Sequence, residues 1–315
     1  MLVKIFDEFI RQASSEGINI KYAQLRQGGD ITAEFSAMPT KTRMNSFSLC
    51  KSIVGLAAGF AIEEGIISLD DKVCDIFPEY VRPTTSPNLL KCTFRHLLTM
   101  TSGLDTTLFF CDWPERYYIR DWIQYFFNVN FVHEPGTVFV YSNFNTYMAT
   151  CCIERRAGQN LVNYLRDRFF EPIGIKNPDW TTCPAGHVIS ANGLHVTIDE
   201  IGNFGEFVLR EGAWNGKQLL SKEFMKDATS ALVDTGKFIK QLEGAGFNPA
   251  VYSYGYGYQF WKTAVPGTTM ASGNYGQHCF VLHDKDAVFC YQAMAGFKLL
   301  RLMEMGCAAV SEMCK

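Results

Sequence analysis

The sequence predicts an α+β fold in which the two ends of the chain share one antiparallel five-stranded sheet and the middle forms a mostly helical lobe. Alternating runs and runs of β-branched and aromatic residues predict the strands at residues 18–25, 31–35, 254–261, 277–283 and 287–292. Helical patterns precede the first strand, follow the last strand and dominate the interior. We therefore expect one structural unit, with residues 1–85 and 250–315 forming the sheet lobe, residues 86–249 forming the helical lobe, and the functional site between them.

Local signals support the individual elements of this fold. An amphipathic helix at about 2–16 and a second helix at about 297–313 flank the sheet. Glycines in the turn 27–30 favour a hairpin between the first two strands, and the turn 284–286 joins the last two. The interior helices are predicted at residues 93–98, 145–156, 160–170 and 198–211.

Composition and charge exclude several classes of function. The chain has 315 residues, of which 47% are hydrophobic and 19% charged, as is typical of a globular protein. A formal net charge of -3 without runs of like charge argues against nucleic-acid binding. No apolar run reaches the roughly 18 residues that span a membrane, and residues 1–10 form an amphipathic segment with acids instead of a secretion signal. We expect no nucleic-acid or membrane partner and a cytoplasmic location, with a truncated exported form as the alternative.

The eleven cysteines and six histidines indicate neither a disulfide framework nor a metal site. The cysteine number is odd, the spacing is irregular and no C-x-x-C pair occurs. Several cysteines, such as Cys151, Cys152 and Cys290, lie in apolar segments and are interpreted as small core residues in a reducing compartment. No histidine lies in a metal-ligand spacing, so we expect neither a metal nor an organic cofactor.

Residues 45–62 are predicted to form the central helix of the molecule. From Ile53 onwards apolar residues fall on every side of the helical wheel, and a helix that is apolar all round is buried on all sides. Ser48 and Lys51 lie at its N-terminal end, three residues apart and therefore on one face. The helix dipole and burial both favour the neutral amine, so we expect a lowered pKa for Lys51. A neutral lysine can accept the proton of a serine hydroxyl, which predicts an activated nucleophile. The alternative is that Ser48 caps the helix and Lys51 extends into solvent.

A second candidate segment contains Tyr141 and Asn143, which alternate around Ser142 just before a predicted helix. Residues two apart in extended backbone point the same way, so both side chains can face one cleft. A phenol beside a lysine can transfer protons, and a carboxamide offers a donor and an acceptor to a substrate amide. The alternative is a tyrosine packed at a turn and an asparagine that starts the next helix.

The third candidate segment is 272–277, at the start of a predicted strand. Glycines on a strand that faces a cleft let another backbone approach closely. Asn274, Tyr275, Gly276 and Gln277 are therefore candidate substrate-binding residues, and a backbone N–H of this segment could complete an oxyanion hole with that of Ser48. A plain glycine-rich turn is the alternative. His278, which follows directly, is a candidate substrate contact.

The order of these motifs resembles that of the active-site-serine penicillin-recognising enzymes. S-x-x-K after an N-terminal strand pair, then Y-x-N, then a glycine-rich strand start looks most like the class C β-lactamase-related branch. That branch includes esterases, D-amino-acid peptidases and amide hydrolases of the 6-aminohexanoate type. The segments that look like those of the family cover nearly the whole chain and are 48–52, 67–73, 95–104, 135–137, 141–143 and 214–220.

The resemblance implies a β-lactamase/transpeptidase-like fold and a serine hydrolase that acts through an acyl-enzyme. Ser48 would be the nucleophile and Lys51 its proton acceptor. Tyr141 would share the proton and deliver it to the leaving group, and Asn143 would hold the amide of the acyl side chain. The backbone N–H groups of Ser48 and Gln277 would form the oxyanion hole.

The third motif departs from the family pattern, in which a lysine or histidine, a threonine or serine, and a glycine follow one another. This chain has Asn274, Tyr275 and Gly276, which removes the cation and hydroxyl that grip a substrate carboxylate. We therefore expect an intracellular esterase or amidase that acts on a small acyl compound. The alternatives are a β-lactamase or penicillin-binding D-amino-acid peptidase, and a catalytically silent ligand-binding relative. The sequence predicts no oligomeric state.

Overall fold

The computed structural model describes residues 1–106, 116, 118–241 and 247–315; Cys111 lies outside the described residues. The α-helices of this part are α1 (Leu2–Ser15), α2 (Lys51–Glu63), α3 (Val73–Ile76), α4 (Phe94–Leu98), α5 (Trp122–Asn128), α6 (Asn143–Ala157), α7 (Leu161–Leu165), α8 (Ile198–Leu209), α9 (Lys222–Ala228), α10 (Gly236–Gln241), α11 (Pro249–Tyr252) and α12 (Leu299–Cys314). The strands are β1 (Ile20–Gln27), β2 (Asp30–Ser36), β3 (Met44–Asn45), β4 (Asp179–Trp180), β5 (Leu194–Val196), β6 (Ala213–Trp214), β7 (Lys217–Gln218), β8 (Trp261–Lys262), β9 (Thr268–Gly273), β10 (Gln277–Leu282) and β11 (Ala287–Ala293).

The main sheet is antiparallel and, within the described ranges, has six strands in the order β2-β1-β11-β10-β9-β8. Both ends of the chain contribute, as the sequence predicts, but the predicted strand at 254–261 is wrong. Gly255 and Gln259 have φ values of 107° and 66°, which interrupt extended backbone, so that only Trp261–Lys262 pairs there. The strand that the sequence pattern misses is β9, whose residues are mostly small or polar.

The sheet is covered on both faces, and every residue of β11 is buried. Phe289 and Tyr291 face α1, where each ring lies 5.1 Å from that of Phe9. Val288 points to the opposite face, on which α8 packs closely because Gly205 has no Cβ to meet the Val288 side chain. The sheet therefore separates two hydrophobic cores, one under the terminal helices and one shared with the interior helices.

Helix α2 passes through the centre of the larger core, as its all-round apolar pattern predicts. Each residue from Lys51 to Ala61 is buried. The helix contains Gly55, and a Cβ there would overlap the carbonyl oxygen of Tyr258, so the glycine allows the loop before β8 to touch the helix backbone. A 3₁₀ turn, Phe47–Cys50, precedes the helix and carries Ser48.

Two further features concern the remaining sequence predictions. None of the helices in the described ranges is both long and apolar enough to cross a membrane. Cys151, Cys152 and Cys290 are buried, free thiols, which confirms their interpretation as core residues. The division into lobes at residues 85/86 and 249/250 stays a prediction.

Candidate active site

Ser48 is presented by the 3₁₀ turn at the N-terminal end of α2, where it is half-buried. The side-chain oxygen of Asn45 accepts hydrogen bonds from the N–H groups of Phe47, at 2.8 Å, and Gly193, at 3.1 Å. Phe47 has a φ of 47°, in the left-handed region that non-glycine residues seldom occupy. The turn therefore has an unusual backbone conformation directly before Ser48, as is common at functional sites.

Lys51 does not extend into solvent; its side chain is buried, with a relative exposure of 1%. Its Nζ donates to Ser48 Oγ at 3.1 Å, to Asn143 Oδ1 at 2.6 Å and to the carbonyl oxygen of Ala191 at 2.8 Å. A buried amine costs free energy unless its hydrogen-bonding capacity is satisfied, and these oxygens satisfy it. The amine is thereby fixed beside the serine oxygen.

Tyr141 lies next to Lys51 and is also buried. The Lys51 Nζ is 5.2 Å from the centre of the Tyr141 ring. The ring packs against those of Trp261, at 5.3 Å, and Phe247, at 5.6 Å. The phenol is thus held by aromatic neighbours on one side of the amine.

Asn143 is the first residue of α6, and the Ser142 side chain caps this helix by accepting from the N–H of Phe144. Asn143 therefore begins a helix, as the alternative interpretation states, and its side chain also faces Lys51. The structure brings Ser48, Lys51, Tyr141 and Asn143 together.

The segment 272–277 contains the end of β9, the turn after it and Gln277, where β10 begins as the sequence predicts. Tyr275 and Gly276 occupy this turn with φ values of 60° and 97°, and Gly273 pairs with Gln277 across it. The Tyr275 ring lies 4.9 Å from the ring of Phe47, beside the Ser48 turn. Asn274 and Tyr275 are therefore turn residues near the site and are not the first residues of a strand.

Gly273 is the residue of this hairpin that touches the Ser48 turn. A Cβ on Gly273 would overlap the carbonyl oxygen of Ser46 and lie 3.0 Å from the nitrogen of Leu49. Gln277 lies across the β9–β10 pairing, where its side-chain amide donates to the carbonyl oxygen of Ala293 at 2.7 Å. The sequence pattern indicated Gln277 and not Gly273 because it predicted the strand that begins at Gln277, which is β10, but not β9, which ends at Gly273. Close backbone approach at a strand glycine was the signal that could have identified Gly273.

The prediction that His278 contacts substrate is wrong, because its side chain is fully buried. Its Nε2 lies 3.0 Å from Ser272 Oγ, and the Tyr252 hydroxyl lies 2.7 Å from the same oxygen. Burial lowers the pKa of His278 to about 3, so the imidazole is neutral in the folded protein at physiological pH. These buried polar groups therefore connect Ser272 of β9 to His278 of β10 and to Tyr252.

Gln259 is a supporting residue that the sequence did not reveal. Its Nε2 donates to the carbonyl oxygen of Leu98 at 2.7 Å, its Oε1 accepts from Thr146 at 2.7 Å, and its carbonyl oxygen accepts from Ser52 at 2.7 Å. These bonds connect α4, α6 and α2, the last two of which carry Asn143 and Lys51. Gln259 thereby helps to hold the two helices in register.

Residues of metal-ligand type come together away from Ser48. Cys151 and Glu154 on α6 and His187 in the following loop offer ligand atoms within 4.8 Å of one another. Cys151 and Glu154 lie two turns or more along α6 from Asn143, and His187 lies in the loop after β4. They therefore form a cluster separate from the Ser48 site.

Comparison with known proteins places this geometry in a family. The family model described as Beta-lactamase matches residues 18–294. Lovastatin esterase of Penicillium rubens is 26% identical over 231 residues, which cover 61% of this chain and 56% of the relative. The chain spans about half the length of the curated relatives it matches.

Solved structures share the fold over the whole chain. EstCE1, described as a hydrolase with promiscuous acyltransferase activity, has a TM-score of 0.78 at 18% identity, covering 100% of this chain and 98% of that chain. A penicillin-binding protein homologue from Caulobacter crescentus has a TM-score of 0.74 at 15% identity, covering 98% and 97% of the two chains. These similarities confirm the β-lactamase/transpeptidase-like fold predicted from the motifs. With the family model matched over most of its length, the chain belongs to the β-lactamase family.

Proposed function

We propose that the protein is a serine hydrolase that cleaves a small ester or amide through an acyl-Ser48 intermediate. The observation that carries this proposal is the buried amine of Lys51, held 3.1 Å from Ser48 Oγ with Tyr141 beside it. A hydroxyl next to an amine whose neutral form is favoured by a helix N-terminus is an activated nucleophile.

Once the N–H that bonds Ser48 Oγ has lost its proton, the neutral Lys51 amine keeps its two N–H bonds to Asn143 and Ala191 and accepts the Ser48 proton while the serine oxygen attacks the substrate carbonyl carbon. Tyr141 shares this proton and delivers it to the leaving group, and a water molecule then hydrolyses the acyl-enzyme by the reverse transfer. Asn143 and the carbonyl of Ala191 keep the amine in position through their hydrogen bonds to Nζ. Asn143 also contacts the side chain of the acyl group in this proposal.

The oxyanion of the tetrahedral intermediate is stabilised by the backbone N–H groups of Ser48 and Gly273. Gly273 takes the role that the family resemblance implied for Gln277, because its backbone lies against the Ser48 turn. Each such donor stabilises the transition state by roughly 3 kcal/mol.

The proposed substrate is a neutral ester or amide with an apolar acyl group. The rings of Phe47 and Tyr275, 4.9 Å apart, form an apolar wall beside Ser48, and Asn274 and Gly276 complete the turn at its edge. This segment supplies no lysine or histidine to bind a carboxylate. The curated relative lovastatin esterase also supports ester hydrolysis.

Covalent labelling tests the proposal. We expect a fluorophosphonate to add to one residue of the wild-type protein, Ser48, and to leave Ser48→Ala unlabelled. Ser46→Ala is the matched control, because Ser46 is a buried serine in the same segment. Absence of an adduct in the wild type would contradict the proposal.

A substrate panel separates the alternatives. We expect hydrolysis of p-nitrophenyl esters, and loss of that activity in Ser48→Ala. Fast turnover of nitrocefin or of D-amino-acid amides would instead indicate a β-lactamase or a D-amino-acid peptidase. Equal behaviour of wild type and Ser48→Ala in every assay would indicate a silent ligand-binding protein.

A further inference from the structure

A buried cluster of mixed ligand type lies between α6 and the loop that follows β4. Cys151 and Glu154 are three residues apart on α6 and therefore share one helix face. His187 approaches the same face from the loop, and its Nδ1 lies 2.7 Å from Glu154 Oε2. A thiol, a carboxylate and an imidazole thus converge with their ligand atoms within 4.8 Å of one another.

The loop is braced so that His187 stays at this position. The N–H of Cys183 donates to the carbonyl oxygen of His187 at 2.8 Å, and Thr182 and Val188 form an isolated bridge on either side. Glu154 Oε1 accepts from the N–H of Leu161 at 3.0 Å. Because one carboxylate oxygen is bound to backbone, the other is oriented towards His187, as an outer hydrogen bond orients a metal ligand.

Glu154 is buried, and its charge is compensated by hydrogen bonds from the backbone N–H groups of Leu161 and Val188 and by its contact with His187. The side chain of Glu154 is only 6% exposed, and within the described ranges its one ion pair is with His187, which is 34% exposed. A buried carboxylate needs compensation by opposite charge or hydrogen bonds. His187 and Glu154 also line a pocket of about 300 Å³, which offers a route from solvent.

We propose that Cys151, Glu154 and His187 bind one Zn²⁺ ion, which fastens α6 to the loop 181–191. Zinc accepts thiolate, imidazole and carboxylate ligands in tetrahedral geometry, in which ligand atoms are about 3.5 Å apart. A bound ion would separate His187 Nδ1 and Glu154 Oε2, now 2.7 Å apart, to about this distance, and a water molecule would complete the tetrahedron. The loop also supplies the Ala191 carbonyl that binds Lys51, so the ion supports the Ser48 site from a distance.

Binding changes the protonation of the ligands. Burial raises the pKa of the Cys151 thiol well above its usual range, so without the ion the sulfur carries a proton. On coordination Cys151 loses this proton to solvent and binds as the thiolate. Coordination replaces the hydrogen bond between His187 Nδ1 and Glu154 Oε2: His187 binds through Nδ1 as the neutral imidazole with its one proton on Nε2, and any further proton leaves to solvent.

Titration of the chelator-treated, full-length protein with Co²⁺ tests the site. We expect a near-ultraviolet thiolate-to-cobalt charge-transfer band that saturates at one equivalent and disappears on addition of Zn²⁺. Cys151→Ser should lose the band, whereas Cys152→Ser, which removes the neighbouring buried thiol on the same helix, should keep it.

His187→Gln keeps the test decisive if Cys151→Ser fails to fold, because His187 is partly exposed. We expect this variant to retain the circular dichroism spectrum of the wild type and to bind Co²⁺ at least tenfold more weakly. Absence of the band in the wild type, or an unchanged affinity in His187→Gln, would overturn the proposal. Since the readout is metal binding, its failure would leave the proposal for Ser48 untouched.

Discussion

Replacing Gly273 with alanine perturbs the proposed oxyanion hole without changing any side chain proposed to transfer a proton. The new Cβ would overlap the carbonyl oxygen of Ser46 and lie 3.0 Å from the nitrogen of Leu49, and both of these are backbone atoms that cannot rotate away. Strand β9 must therefore move away from the Ser48 turn. A displaced oxyanion donor lowers kcat by about 100-fold, while substrate binding elsewhere in the cleft changes little.

Steady-state kinetics with a p-nitrophenyl ester measure this effect as a fall in kcat at nearly constant KM. Gly236→Ala is the matched control, because a Cβ there meets only the side chain of Asp234, at 3.3 Å. Circular dichroism and the thermal unfolding midpoint establish that both variants are folded. A folded Gly273→Ala enzyme with the kcat of the wild type would refute the assignment of Gly273 to the oxyanion hole.

Three further predictions concern the proton acceptor, a supporting residue and pH. Lys51→Met should slow acylation by roughly 10²- to 10⁴-fold, measured by stopped flow, because no amine then accepts the Ser48 proton; a rate equal to the wild type would exclude Lys51 as the base. Gln259→Ala should lower the free energy of unfolding by about 3 kcal/mol in urea titrations, since buried partners such as Thr146 lose their hydrogen bonds; a loss below about 0.5 kcal/mol would contradict its connecting role. For His278, whose pKa falls from 6.5 unfolded to about 3 folded, the unfolded state binds more protons between these values. The free energy of unfolding should therefore decrease as pH falls through that window, by up to about 1.4 kcal/mol per pH unit. The free energy of unfolding of His278→Gln should depend less on pH. Identical pH profiles of stability for the two proteins would refute this prediction.

The proximity of Ser48 and Lys51 was predictable from sequence because the pair breaks a local rule. An amine in the first turn of a helix that is apolar all round is unfavourable unless a function compensates it. Ser48 and Lys51 are three residues apart, so their proximity needs only helix geometry. Tyr141 and Asn143 required more, since their approach to Lys51 depends on packing between α2 and α6, and the family resemblance supplied that information.

The sheet edge beside the site was harder to predict. The run 254–261 has the aromatic composition of a strand, but its backbone turns at Gly255 and Gln259 to reach α4 and α6. The true strand, Thr268–Gly273, has Met270 as its one large apolar side chain and is stabilised by its pairing with β10. Strand propensity reflects packing environment, so local composition misled in both places and Gly273 was missed.

The cluster of Cys151, Glu154 and His187 could not be predicted from motif spacing, for a different reason. Its ligands come from a helix and from a loop that follows much later, so no short motif contains them all. Only the contact between α6 and the loop brings His187 to Glu154. A search for C-x-x-C or paired histidines therefore finds nothing.

Rapid-quench mass spectrometry tests most directly whether the reaction passes through Ser48. Wild-type protein is mixed with an excess of a p-nitrophenyl ester, stopped in acid and digested, and the peptide that contains Ser48 is weighed. We predict that this peptide gains the mass of one acyl group during turnover and that the gain is absent in Ser48→Ala. Hydrolysis that continues in Ser48→Ala, or an acyl group found on another residue of the wild type, would contradict the mechanism.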